Sequence, residues 1–145
     1  AEGMKITPML INDFAYYRAN AYDETGAGGV NLKVGSSDVA AYNIGGGFNY
    51  EWAINISDTT TLTPNVFLGY TVDLINEAVS STAQFQGGGA VFETTGTTPD
   101  RNSYLLNAGV LYEAMENVEI RLDYNLTVKD KFTSQAGALK GSYLF

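Results

Sequence analysis

The clearest pattern in the chain is a strict alternation. From Val118 to Lys129 an apolar residue stands at every second position: Val118, Ile120, Leu122, Tyr124, Leu126 and Val128. Between them lie Glu119, Arg121, Asp123, Asn125, Thr127 and Lys129. A period of two over such a run predicts a strand with one apolar and one polar face. Soluble sandwich strands are usually about half as long. The eleven residues from Val118 to Val128, at ~3.3 Å each, span ~36 Å. Tilted by about 40°, they cover ~28 Å, close to the apolar band of an outer-membrane barrel.

The same parity recurs elsewhere. Tyr42–Ile56, Leu62–Leu74 and Tyr104–Ala114 alternate well, and Ile6–Tyr16 does so up to an interruption at Asn12. The last segment sets Gly137, Leu139, Gly141, Tyr143 and Phe145 against Lys140 and Ser142. Short polar turns are expected at Ser57–Thr61 and at Glu116-Asn117, and long Gly/Ser/Asp-rich loops at about 23–38 and 80–102. Within those loops, Gly29–Val34 and Ala83–Phe92 read as short extended pieces, either extra spanning strands or extensions outside. A weak duplication relates Ile6-Thr7-Pro8 to Leu62-Thr63-Pro64, and Tyr42–Glu51 to Tyr104–Glu113. The chain therefore reads as two long hairpins and a short final one.

Composition sharpens this picture. The 145 residues carry 16 Gly, 10 Tyr and 7 Phe, with 17% charged residues and a net charge of −8. One domain, residues 1–145, is the expectation at this length. No window approaches 18 consecutive apolar residues, so any membrane span must be a β-barrel. Residues Ala1–Lys5 lack the basic and apolar regions of a signal peptide. Tyr50, Trp52, Tyr70, Tyr104, Tyr112 and Tyr124 are candidates for the aromatic girdles that favour the headgroup level, as are Tyr16, Tyr143 and Phe145. A soluble β-sandwich is the competing fold, opposed by strand length and by the scarcity of charge on the apolar face.

The chain has no Cys and no His. That excludes thiolate chemistry, a Ser-His-Asp triad and Cys- or His-ligated metals. Eight Lys and Arg spread singly against 16 Asp and Glu form no basic patch for nucleic acid. On the polar face of the cleanest strand, Glu119, Arg121, Asp123 and Lys129 are expected to form a lumen charge network rather than a catalytic carboxylate site. The runs Gly45-Gly46-Gly47 and Gly87-Gly88-Gly89 lack the Lys-Ser/Thr and the following helix of a phosphate loop, and read as strand kinks or as room beneath an aromatic ring. Loop carboxylates Asp23, Glu24, Asp38, Glu77, Glu93 and Asp100 show no calcium-loop spacing. No cofactor and no enzymatic activity are expected.

In order along the chain stand Ile6/Pro8, Tyr22/Glu24/Gly26, the glycine-centred Tyr42–Tyr50, Leu62/Pro64, Phe85/Gly87, Arg101, Gly109, Tyr124 and the closing Tyr143/Phe145. This series resembles the C-terminal part of the autotransporter β-domain, the translocator of type V secretion. The resemblance implies an all-β, antiparallel transmembrane barrel in the bacterial outer membrane that anchors and displays or exports a passenger. Partners would be the lipid and lipopolysaccharide bilayer, the barrel-assembly machinery, a covalently linked passenger and remaining barrel strands. Phe145, with Tyr143 and Leu139 at alternate preceding positions, resembles the signal read by that machinery. The family's barrel has about twelve strands, so this chain matches its C-terminal half; a self-closed barrel needs about eight. A small self-closed barrel acting as a structural or surface-interaction protein is the alternative.

Overall fold

The computed structural model describes residues 3–115 and 117–145; the expectations placed on Ala1, Glu2 and Glu116 lie outside the described residues. Among the described residues, eleven strands and one 3-10 turn, Gly28–Val30, make up the regular structure. The long strands are β1 (Met4–Ala19), β4 (Ser37–Trp52), β6 (Thr60–Asp73), β9 (Asn102–Ala114), β10 (Val118–Lys129) and β11 (Phe132–Tyr143). The short ones are β2 (Tyr22–Asp23), β3 (Leu32–Val34), β5 (Ile54–Ser57), β7 (Ser80–Phe85) and β8 (Phe92–Thr95).

Two sheets result. The long strands pair in chain order, β1-β4-β6-β9-β10-β11, with β5 added on β6. The short strands pair as β2-β3-β7-β8. The long sheet is open, with β1 and β11 at its ends. The chain forms two compact units, one built from Ala1–Asn12, Ile44–Val72 and Asn102–Phe145, the other from Asp13–Asn43 and Asp73–Arg101.

The strand limits follow the alternation closely at β10 and, within a few residues, at β1, β6 and β9. Three expectations are corrected. The run Tyr42–Ile56 is broken at Ala53, whose N–H bonds to the Gly3 carbonyl at 2.9 Å, so β5 pairs separately with β6 across the turn at Asp58-Thr59. The stretch Ala83–Phe92 is extended only at its ends, where Ala83–Phe85 close β7 and Phe92 opens β8; between them lies a bend with Gly88 and Gly89 at φ 106° and 121°. Those angles suit glycine alone, so this glycine run is a turn and not a strand kink. Gly29 lies in the 3-10 turn, which leaves only Leu32–Val34 extended. Neither short piece joins the long sheet.

Antiparallel register runs unbroken through β6, β9, β10 and β11. Leu62 faces Tyr112, Tyr112 faces Ile120 and Ile120 faces Gly141; Asn65 faces Gly109 and Gly109 faces Asp123. Because side-chain parity is conserved across a ladder, every strand places its apolar set on the same side. Glycines allow β4 to join. A Cβ on Gly47 would meet the Leu68 carbonyl, the Gly69 Cα at 2.7 Å and the Phe67 ring at 2.7 Å. Phe67 lies across Gly47 and Gly69, covering two neighbouring backbones that carry no side chain of their own.

The interior of a soluble protein is missing. Ala114 is the only buried hydrophobic residue among the described residues. Leu10 (82%), Leu68 (53%), Leu122 (53%) and Leu139 (75%) are exposed, as are Ile6, Phe48, Tyr104 and Tyr143. Contiguous apolar exposure on this scale marks a surface built to meet another apolar phase.

Candidate lumen face and aromatic rims

The two faces of the first unit's sheet differ in kind. On one lie Ile44, Phe48, Tyr50 and Trp52 of β4, then the even positions of β6, β9 and β10 and the odd positions of β11. No Asp, Glu, Lys or Arg of the first unit's strands falls there. The opposite face gathers Lys5, Glu51, Glu113, Glu119, Arg121, Asp123, Lys129 and Lys140, with Asn65, Asn107 and Asn125.

The polar face is wired together. Lys5 Nζ lies 3.4 Å from Glu51 Oε2. Arg121 Nε donates to Asp123 Oδ2 at 2.8 Å. Asn65 Nδ2 donates to Asn107 Oδ1 at 3.1 Å, and Asn107 Nδ2 donates to Asn125 Oδ1 at 2.9 Å. These three asparagines form a ladder across β6, β9 and β10. Gly109 keeps the wall clear beside it, because a Cβ there would stand 2.6 Å from both Asn65 Oδ1 and Asp123 Oδ1. Asp123 Oδ1 itself has no hydrogen-bond partner among the described residues.

Of the four polar residues singled out in the sequence, Arg121 and Asp123 are brought together. Glu119 sits one step away on the same face, directly across from Glu113, and its charge acts on Arg121, as does that of Glu51. Lys129 is at the far end of β10, opposite Phe132. The asparagine ladder and the Lys5–Glu51 pair were missed by residue-type reasoning. Parity held the clue: Asn107 and Asn125 occupy the polar phase of their strands, and the ladder register sets them side by side.

The aromatic residues fall mainly toward strand ends. Tyr50 and Trp52 close β4, Tyr112 lies near the end of β9, and Tyr143 ends β11, its ring 6.3 Å from that of Phe145. At the opposite ends, Tyr70 of β6 faces Tyr104 of β9, ring centroids 5.5 Å apart, and the Tyr70 hydroxyl donates to Asn102 Oδ1. Tyr124 sits in the middle of β10, between Ala108 and Gly137. Leu139 pairs with Leu122 on the apolar face. Tyr143, Leu139 and Phe145 are all exposed.

A two-faced, register-locked sheet with an uncharged outer side calls for comparison with membrane barrels. The autotransporter beta-domain family model matches residues 1–125. The chain belongs to the autotransporter β-domain family. It is accordingly an outer-membrane β-barrel protein of type V secretion, located in the bacterial outer membrane. The family is one of translocators and not a known enzyme family. A comparison with curated proteins found no significant match. Outer-membrane barrels as a class turn an apolar band to lipid and a polar face to the lumen.

Proposed function

We propose that this chain supplies the C-terminal wall of a barrel that anchors a passenger in the outer membrane and displays or exports it. The observation that carries the reading is the open long sheet. Six long strands fall short of the roughly eight needed for a closed single-chain barrel, and among the described residues β1 and β11 each leave an edge unpaired. Unpaired backbone groups are untenable in hydrocarbon. Further strands of the same translocator would satisfy them and widen the lumen enough to pass a polypeptide. The uncharged face takes lipid and lipopolysaccharide acyl chains, with the aromatic rims at headgroup level.

Within this reading Phe145, Tyr143 and Leu139 serve assembly. They lie on or beside β11, which pairs with β10 alone and is exposed along all 12 residues. An apolar edge strand of that kind can be captured by strand pairing with the barrel-assembly machinery. The test places an epitope tag upstream of residue 1 in the full-length gene product and labels intact cells. Labelling without permeabilisation is expected. Labelling only after the outer membrane is opened would refute export and display.

A further inference from the structure

The short sheet of the second unit has a free edge. β8 ends the order β2-β3-β7-β8. The Gly96 N–H bonds to the Val79 carbonyl at 2.8 Å, which fixes the phase of the β7–β8 ladder. Backbone groups alternate between partner and outside along an antiparallel strand. Phe92 and Thr94 therefore turn theirs to β7, while Glu93 and Thr95 turn N–H and C=O to the open edge. Pro99, beyond the strand, limits the usable edge to a few residues.

The side chains beside this edge are of two kinds. Register puts Tyr22, Leu32, Val34, Ala83, Phe85 and Phe92 on one face. The Phe85 and Phe92 ring centroids lie 5.9 Å apart, and both residues are exposed. The other face carries Asp23, Lys33 and, at the edge itself, Glu93. The second unit as a whole has eight Asp and Glu against three Lys and Arg, a net charge of −5.

We propose that the free edge of β8 binds an extended cationic peptide segment by strand addition, one whose residues alternate apolar and basic. Glu93 and Thr95 supply the backbone bonds. Alternate side chains of the added strand then fall on the two faces, the apolar ones against Phe85 and Phe92, the basic ones beside Glu93. Charge selects this occupant. A second copy would bring a unit of the same sign, and a phosphate-bearing surface would be repelled.

The test uses the full chain refolded in neutral detergent micelles and a fluorescein-labelled Val-Lys-Val-Lys-Val-Lys peptide, with Val-Glu-Val-Glu-Val-Glu as its counterpart. Fluorescence anisotropy is expected to show saturable binding of the first and at least about tenfold weaker binding of the second. Thr95→Pro removes an outward N–H at a position where an edge strand tolerates proline, and Glu93→Lys reverses the edge charge. Each is expected to weaken binding about tenfold with circular dichroism unchanged. Failure of the Val-Lys peptide to bind overturns the proposal. Equal binding by both variants, or equal binding of both peptides, does so too. A concentration-dependent dimer abolished by Thr95→Pro would assign the edge to a second copy instead.

Discussion

At the scale of single residues, glycine does the work that a core side chain does in a soluble protein. Gly47 and Gly69 contribute nothing to the polar face except room, and Phe67 fills it. A methyl on Gly47 would strike the Leu68 carbonyl and the Gly69 Cα, both backbone atoms that cannot swing aside. Overpacking of this sort costs about 1–3 kcal/mol. Gly47→Ala is therefore expected to lower the urea midpoint of the protein refolded in lipid vesicles, with the loss in that range. A midpoint unchanged from the parent would show that β4 and β6 can separate freely. Gly109 is different in kind, since the atoms a Cβ would meet there are the ends of Asn65 and Asp123, which can rotate away.

Elements make the two faces, and β10 shows the difference between neighbours most sharply. Leu122 pairs with Val110 and Leu139 on the uncharged face, whereas Arg121, one residue earlier, pairs with Leu111 and Lys140 on the other. A lipid-facing arginine near the bilayer midplane costs about 2–4 kcal/mol. Leu122→Arg is thus expected to reduce the folded fraction in vesicles steeply, measured by heat-modifiable gel mobility, while Arg121→Leu changes it little. Comparable losses for both would contradict the assignment of the faces. β10 was legible in the sequence to the residue because every step of it obeys parity. The β4 break at Ala53 was not, because Trp52, Ile54 and Ile56 keep the apolar phase straight through the interruption. The short strands were legible in part: β3 lies within Gly29–Val34, and β7 and β8 overlap the ends of Ala83–Phe92. Alternation reports a half-covered strand but not which sheet it joins, and a glycine run reads alike as a kink or a turn until its φ angles are known. The polar network was half visible: Arg121 and Asp123 follow from one strand's pattern, but the Asn65-Asn107-Asn125 ladder exists only once three registers are fixed.

At the scale of the whole molecule, stability must come from the surrounding phase. With Ala114 the sole buried hydrophobic among the described residues, the chain cannot offset its conformational entropy by internal burial. It is expected to stay in solution only with detergent or lipid, and sustained monodispersity in plain buffer at high concentration would overturn that. The connections along the long sheet bear on a different matter, the sequence of events by which it forms. β10 and β11 pair over 12 residues across a turn of only Asp130-Lys131. β1 reaches β4 through residues 20–36, and β6 reaches β9 through residues 74–101. Closing a flexible connection costs about 0.6 kcal/mol more for each doubling of its length, and it must be closed before any pairing is gained. The β10–β11 hairpin is thus the cheapest to zip, and β1 is among the slowest to find its neighbour. Pairing along the long sheet is therefore expected to start at β10 and β11 and to reach β1 late.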